Sequence, residues 1–185
     1  MLKGLKSSLK KESKDKEIFD IVIYGSAVKG KAKPNDVDIA VIFRSGSLRE
    51  RLDKVQRIKE RLDTDLKVDM KGLLLEELFR PEFFGKTGIF LEGFSVFDDK
   101  PFSKKIGFEG STLFTYSLKD KSHTEKVKFN YILSGRGKEG LIKLLEGKHI
   151  APGVIEIPIS NSDEFTQLLQ RHNIDFKKKN MLKQA

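Results

Sequence analysis

The residues of this chain that are best suited to chemistry begin with the pair Gly25-Ser26. Residues 18–24, directly before the pair, are apolar and β-branched, and this pattern predicts a buried strand. Glycine then lets the chain turn, and residues 27–32 suit a short helix. The start of a helix exposes unpaired backbone N–H groups, which together with the Ser26 hydroxyl favour phosphate oxygens. The turn therefore predicts a phosphate-binding site. The lysines that would add positive charge nearby are Lys29, Lys31 and Lys33.

Two carboxylates, Asp36 and Asp38, follow this turn closely. Pro34-Asn35 ends the helix, and residues 37–43 predict a second strand. Because side chains alternate along a strand, Asp36 and Asp38 project from the same face. Two neighbouring carboxylates repel each other unless a cation lies between them. The pair therefore favours a hard cation, above all Mg²⁺, which usually binds together with substrate phosphates.

The order of these motifs points to a family. Gly25-Ser26, a spacer that holds Gly30, and the stretch Asn35-Asp36-Val37-Asp38-Ile39-Ala40-Val41 resemble the signature of the DNA polymerase β-like nucleotidyltransferase superfamily, in its small, minimal form. The resemblance spans residues 18–98. It implies an α/β (mixed α+β) fold in which helices flank a mixed sheet.

The resemblance also requires a third carboxylate on a later strand, after a helix. Residues 48–62 carry apolar side chains at helical spacing, and residues 66–70 predict the strand. Asp69 and Asp65 both lie on one side of this strand and compete for the position. We prefer Asp69, because Val68 and Met70 would pack it into the sheet and the family has apolar residues on each side.

The reaction that the resemblance implies is the transfer of a nucleoside monophosphate from a nucleoside triphosphate, with ATP favoured, to a hydroxyl group. Asp36 and Asp38 would bind two Mg²⁺ (or Mn²⁺) ions. Asp69 would join the second ion and help to activate the hydroxyl, which attacks the α-phosphate and expels pyrophosphate. The predicted catalytic and metal-binding residues are Asp36, Asp38 and Asp69. The predicted nucleotide-binding residues are Gly25, Ser26, Lys29 and Lys33.

Composition excludes several other classes of protein. The 185 residues are 38% hydrophobic, enough for a real core. No apolar run approaches the roughly 20 residues of a membrane-spanning helix, so we expect no membrane contact. The chain has no cysteine and 3 histidines, which excludes disulfides and argues against a zinc centre. We expect the protein to be cytoplasmic.

The net charge of +9 is concentrated outside the region of resemblance. Residues 18–99 are near neutral, with 14 basic and 15 acidic side chains, whereas residues 100–150 have 11 basic and 5 acidic ones. A basic surface beside a nucleotide site favours binding to nucleic-acid phosphates, although lysine-rich segments are also common as solvated surfaces. Nucleic acid is therefore the expected partner, with RNA favoured over DNA.

A polar joint at 98–101 divides the chain into a catalytic domain, residues 1–99, and a basic α+β region, residues 100–185. In the second region we predict a strand over 108–118, a helix over 126–133 despite some strand character, and a helix over 139–146 that Gly147 ends. Residues 154–159 predict a strand, which Pro158 would make an edge or terminal strand.

The end of the chain is predicted to hold one more helix and a flexible tail. Asn161 or Ser162 would cap the helix, with Glu164 completing a capping box with Asn161. The basic run 177–179 is predicted to be flexible.

The second region also supplies the residues expected to contact nucleic acid. A glycine-spaced loop carries Arg136 and Lys138 in front of a helix, and other lysines interleave with aromatic side chains that could stack on bases. The predicted contact residues are Arg136, Lys138, Lys119, Lys121, Lys126 and Lys128.

The sequence leaves several classes of acceptor molecule possible. We favour the end of an RNA or DNA strand because of the basic flanks. Small members of the superfamily also modify a protein partner, including toxin neutralisers that adenylylate a paired toxin, and others modify small hydroxyl compounds. A non-enzymatic nucleic-acid-binding module on an inactive fold is the alternative of a different class. It would bind nucleic acid without metal and without transfer.

Overall fold

The computed structural model describes residues 2–28, 36–80, 82, 88–137 and 139–184. The chain forms two compact units, Met1–Gly107 and Phe108–Ala185. The division therefore lies after Gly107, whereas the sequence placed it at residue 99.

In its described residues, the first unit is built around a five-stranded sheet with the order β3-β2-β1-β4-β5. The strands are β1 (Ile18–Tyr24), β2 (Asp36–Phe43), β3 (Lys67–Leu74), β4 (Phe94–Ser95) and β5 (Lys100–Pro101). The helices are α1 (Leu2–Lys10), α2 (Leu48–Glu60) and α3 (Phe102–Lys105). The single helical turns are Lys11–Lys14, Gly25–Val28, Leu75–Phe79 and Gly88–Glu92. β2 and β3 run parallel, while the other paired strands run antiparallel. The predicted mixed sheet with flanking helices is confirmed.

The first sheet is buried on both faces in its middle. Val37, Ile39 and Val41 of β2 lie on one face, where they pack with Val55 and Ile58 of α2 and with Leu5 and Leu9 of α1. Ala40 and Ile42 lie on the opposite face with Leu78, Ile89 and Phe102. By alternation Asp36 and Asp38 belong to this second face, at the end where β2 begins.

Helix α2, which the sequence predicted, begins at a capping box. The Ser47 hydroxyl accepts a hydrogen bond from the Glu50 N–H, and the Ser47 N–H donates to the Glu50 carboxylate at 2.8 Å. Such a cap stabilises a helix by about 1 kcal/mol. It fixes where the segment after β2 turns back across the sheet toward β3.

A buried ion pair attaches residues 100–107 to the first unit. Asp20 of β1 is completely buried, and its carboxylate lies 3.0 Å from Nζ of Lys105. The Ser95 hydroxyl donates a hydrogen bond to the same carboxylate at 2.6 Å. Phe102 is also fully buried in this unit. A domain boundary at residue 99 would leave this carboxylate without its cation, which is why the unit extends to Gly107.

In its described residues, the second unit contains a four-stranded antiparallel sheet with the order β7-β8-β6-β9. The strands are β6 (Phe108–Ser117), β7 (Lys148–Ala151), β8 (Val154–Pro158) and β9 (Asp175–Gln184). The helices are α4 (His123–Ser134), α5 (Leu141–Leu144) and α6 (Ser162–Arg171), with a 3₁₀ turn at Ile159–Asn161. One face of the sheet carries Phe114 and Ile155, which pack against Phe129 of α4 and Phe165 of α6. The predicted strand at 108–118 and the helix preferred for 126–133 are both present.

Pro158 does not mark an edge strand, so that prediction was wrong. β8 lies inside the sheet, between β7 and β6. Pro158 is its last residue and pairs with Ser111 of β6, whereas β7 begins opposite Glu156. The N–H that proline lacks is therefore not needed by β7, and the strand tolerates proline at this end.

Two further expectations for the end of the chain were also wrong. Asn161 precedes helix α6, but its side chain makes no capping hydrogen bond and instead donates to the Leu145 carbonyl at 3.0 Å. The basic run 177–179 is not a flexible tail. It lies within β9, which pairs with β6 from Asp175 to Gln184.

No helix among the described residues is long and apolar enough to cross a membrane.

Candidate active site

Asp38 and Asp69 occupy neighbouring positions on the two parallel strands. Asp38 of β2 is in register with Asp69 of β3 on one side and with Tyr24 of β1 on the other. Asp36 lies two residues before Asp38 on the same face, in register with Lys67. The end of β1 and the starts of β2 and β3 thus bring the three predicted carboxylates to one edge of the sheet.

Register also separates the two candidates for the third carboxylate. Asp65 precedes β3 and has no partner on β2, whereas Asp69 lies directly beside Asp38. Val68, next to Asp69, is buried and packs on the opposite face of the sheet. This geometry favours Asp69, and its catalytic role stays a prediction.

Gly25 makes room for Asp38. Its φ of 74° lies in the left-handed region that favours glycine. A Cβ atom at this position would overlap Oδ2 of Asp38 and lie 3.3 Å from its Cγ. The backbone of the turn therefore touches the carboxylate directly, and a side chain at residue 25 would displace it.

The carboxylates repel one another. Burial and the negative charges of Asp36 and Asp69 raise the pKa of Asp38 above its usual value, and Lys71 opposes this shift. Burial and the charges of Asp38 and Asp69 also raise the pKa of the Tyr24 phenol. Lys71 Nζ lies 3.5 Å from Oδ2 of Asp69. The site therefore carries negative charge that a bound cation would neutralise.

The donor set matches a hard divalent cation, because Mg²⁺ and Mn²⁺ favour carboxylate oxygens. The described residues nevertheless contain no group of three or more Asp, Glu or His side chains already drawn together around one point. The Asp69 carboxylate lies near the Lys71 ammonium group, with 3.5 Å between Oδ2 and Nζ. The strand register fits a metal site, and the side chains would have to rotate to complete it.

The predicted phosphate-binding residues are placed only in part. Ser26 lies in the 3₁₀ turn Gly25–Val28, directly after β1, and the rest of the helix predicted for residues 27–32 lies outside the described residues. Ala27 of the same turn is buried in the core, which anchors the turn beside the sheet edge. Lys29 and Lys33 lie outside the described residues.

Tyr24 and Lys71 are residues of this site that the sequence did not single out. A signal for each was available. Tyr24 is the last residue of β1, directly before the glycine turn, and Lys71 lies two residues after Asp69 on the same strand face. Only the pairing of three strands shows that both lie beside Asp38.

The predicted nucleic-acid contacts lie in the second unit. Lys119 and Lys121 lie in the turn after β6, and Lys126 and Lys128 lie on α4. Arg136 is exposed just after α4, with its guanidinium 5.0 Å from the centroid of the Tyr131 ring. Lys138 lies outside the described residues. These roles stay predictions.

Two of the aromatic side chains considered for base stacking belong to the core. Phe114 is fully buried and Phe129 is 3% exposed, whereas Tyr131 is 43% exposed. Alternation of aromatic and basic residues along the chain could not distinguish these environments, since the apolar face of the sheet uses the same period.

Comparison with known proteins supports the resemblance found in the sequence. Residues 5–85 match the family model described as polymerase beta, nucleotidyltransferase. The predicted family resemblance is therefore confirmed for this part of the chain. No curated protein matches the chain. Among solved structures, the chain is similar to a protein from Sulfolobus solfataricus that is described as a putative nucleotidyltransferase. The identity is 21%, the match covers 51% of this chain and 78% of that one, and the TM-score is 0.35.

Proposed function

We propose that the protein transfers a nucleoside monophosphate from a nucleoside triphosphate to a hydroxyl group of a nucleic acid, and the match of residues 5–85 to the family model described as polymerase beta, nucleotidyltransferase supports this proposal. The observation that carries this proposal is the register of Asp38 with Asp69, with Asp36 on the same face of the sheet. ATP is the triphosphate that we favour.

Asp36, Asp38 and Asp69 are the residues that would hold Mg²⁺ or Mn²⁺. When bound, the cation neutralises charge on the triphosphate and stabilises the attacking and leaving oxygens. Gly25 leaves the space that keeps the Asp38 carboxylate beside the turn, and Ser26 in the same turn would donate a hydrogen bond from its hydroxyl to a phosphate oxygen. Asp69 is the carboxylate that we assign to activating the acceptor hydroxyl.

In the proposed reaction, the acceptor oxygen forms a bond with the α-phosphorus, and the bond to the β-phosphate oxygen breaks. The hydroxyl loses its proton, and pyrophosphate is the leaving group. Asp69 suits proton removal because its side chain is half exposed and is therefore accessible to an incoming acceptor.

The second unit supports nucleic acid as the acceptor. Residues 108–185 carry 13 basic and 9 acidic side chains. Four lysines of this unit, at 119, 121, 126 and 128, could contact phosphates, and Lys121 and Lys128 are close enough to Glu125 that their charges lower the pKa of its carboxyl. RNA is the acceptor that we favour over DNA.

The test is incubation of the full chain with each α-labelled nucleoside triphosphate, Mg²⁺ or Mn²⁺, and a mixture of RNA, DNA oligonucleotides and cell protein. Asp36→Asn/Asp38→Asn is the inactive variant. Asp53→Asn is the matched control, because Asp53 is exposed on α2, away from the sheet edge. We expect label on RNA with the wild type and the control, and none with the double variant.

Other outcomes separate the alternatives. Label on a protein would replace the nucleic-acid acceptor by a protein partner. Label that persists in the double variant would contradict the assignment of the site. If no label appears while RNA binds without metal, the chain is a nucleic-acid-binding module rather than an enzyme.

A further inference from the structure

A concave site in the second unit is not part of the carboxylate site. It lies between α4 and the β7–β8 hairpin and encloses about 630 Å³, within the range of small-molecule sites. Its lining contains no Asp, Glu, Lys or Arg side chain. The lining residues are Tyr116, Ser117, Leu118, Asn130, His149, Ile150, Ala151, Pro152 and Gly153.

The strand pairing brings the polar groups of this site together. His149 pairs with Ile155, whose side chain is in the core on the helix side of the sheet, so His149 lies on the face toward α4. Asn130 is exposed on α4. Neither the Asn130 side chain nor the His149 side chain makes a hydrogen bond to another described residue. Two hydrogen-bonding groups with no protein partner are thus left facing a cavity.

A β-bulge in the β7–β8 hairpin lies beside the cavity. The register of β7 and β8 shifts between His149 and Ala151, which leaves Ile150 unpaired and 54% exposed. Such bulges redirect side chains and are frequent beside binding sites. Gly153 has a φ of 74°, and its carbonyl accepts a hydrogen bond from the Tyr116 N–H at 2.8 Å. The turn is therefore held against β6, with apolar Ile150 and Pro152 at the rim.

Positively charged lysine side chains lie next to this cavity. Lys119 follows Leu118 directly, and Lys126 lies one turn before Asn130 on α4. The neighbouring acidic residues are Glu125, which is engaged in the helix cap at Ser122, Asp120, which is exposed, and Asp175, which is exposed and pairs with Ser117. A ligand that fits both features has a neutral planar part with hydrogen-bonding edges and an anionic part beside it.

We propose that this cavity binds one nucleoside of a nucleic-acid strand. The base lies between α4 and the hairpin, where Asn130 and His149 hydrogen-bond its edge, and the adjoining phosphates contact Lys119 and Lys126. An asparagine amide offers both a donor and an acceptor, which is the pattern needed to bind the edge of a base. The apolar rim of Ile150 and Pro152 covers its ring.

This inference deepens the proposed function, because the strand would be the acceptor. It would identify the second unit as the part that selects one nucleotide in that strand. It does not depend on catalysis, since the cavity binds without metal or triphosphate.

The first test is calorimetric titration of the full chain, without divalent metal, with AMP, CMP, GMP and UMP. We expect one of the four to bind most tightly. Asn130→Ala/His149→Ala should weaken its affinity about tenfold, equivalent to ~1.4 kcal/mol. The matched control is His123→Ala/Gln167→Ala, which removes two exposed polar side chains of the same unit that do not line the cavity. Equal affinity for the two double variants, or no binding of any of the four nucleotides, would overturn the proposal.

The second test locates the base directly. A short RNA that carries photoreactive 4-thiouridine is crosslinked to the full chain, and the crosslinked residues are identified by mass spectrometry. Crosslinks within 116–118 or 149–153 are expected, and crosslinks confined to other segments would contradict the assignment. Asp36→Asn/Asp38→Asn should crosslink as the wild type does. Failure of transfer with intact crosslinking would therefore contradict only the proposed function.

Discussion

Gly25 and Asp38 are packed so closely that a methyl group does not fit between them. A Cβ atom on residue 25 would overlap Oδ2 of Asp38, although the two residues belong to different elements of the sheet edge. The turn after β1 and the start of β2 are therefore packed against each other. The predicted phosphate-binding turn and the predicted metal-binding carboxylates depend on one another for their geometry.

Gly25→Ala should abolish most transfer while leaving the chain folded. The added methyl group displaces the Asp38 carboxylate, and a misplacement of about 1 Å can reduce a rate about 100-fold. Alanine at a positive φ also costs about 1 kcal/mol of stability. The rate of label transfer and the free energy of unfolding measure the two effects.

Gly107→Ala is the matched control for that substitution. Gly107 has a φ of 84°, but a Cβ atom there would meet nothing within 4 Å. It should therefore reproduce the backbone strain without the loss of transfer. Equal losses of transfer in the two variants would show that Gly25 acts through strain alone.

Asp38→Asn should stabilise the folded protein at neutral pH in the absence of divalent metal. The pKa of Asp38 is raised by burial and by Asp36 and Asp69, so the folded chain holds a proton where the unfolded chain has already lost it. The free energy of unfolding therefore falls as the pH rises from 3.8, the ordinary pKa of an aspartate, through the raised pKa of Asp38 in the folded chain. This loss of stability persists at pH 7. Asparagine removes that cost.

Urea denaturation between pH 3.5 and pH 7 measures this difference. The difference in the free energy of unfolding between Asp38→Asn and the wild type should become smaller as the pH falls. Asp53→Asn, on the exposed side of α2, is the control for this trend. A variant that is less stable than the wild type at pH 7 would contradict the electrostatic account of the site.

Lys105→Met should strongly destabilise the first unit. It removes the cation that lies 3.0 Å from the fully buried carboxylate of Asp20. Leaving a buried charge unpaired costs about 3–5 kcal/mol. Chemical denaturation gives the value, and Lys104→Met, at an exposed position of the same helix, is the control. A loss below about 1 kcal/mol would mean that water reaches Asp20.

Deleting residues 175–185 should unfold the second unit. β9 pairs with β6 along its whole length, so its loss exposes the backbone of β6 and the core that Phe176 covers. Replacing Lys177, Lys178 and Lys179 together by Gln should leave the fold intact, because all three side chains are exposed. Amide hydrogen exchange of β6 distinguishes the two variants. A deletion that leaves β6 protected would restore the interpretation of a flexible tail.

The parts of the fold that the sequence predicted are those with strong local signals. β1 and β2 are apolar runs bounded by glycine and proline, α2 has a helical apolar face, and Asp69 lies between two apolar residues. Each of these signals is contained within about ten residues. The order of the motifs then pointed to the family, and with it to the arrangement of the sheet.

The parts that the sequence missed depend on partners far along the chain. Residues 177–179 are charged and lack alternation, so only the pairing with β6 makes them a strand. Pro158 indicated an edge strand, because proline has no N–H to donate to a neighbouring strand. β7 is too short to reach Pro158, so no donor is needed there. Likewise the domain boundary depends on Lys105 meeting Asp20, and no local pattern contains that contact.

The pairing of β6 with β9 has a consequence for how the second unit forms. β6 is made first and lies at the centre of its sheet, yet one of its two neighbours is Asp175–Gln184, which is synthesised after β7, β8 and three helices. The edge of β6 that pairs with β9 therefore stays unpaired while most of the unit is synthesised. During this time its backbone groups can pair with other chains. Contacts this distant in sequence also slow folding. The second sheet should accordingly be completed only after β9 has been synthesised.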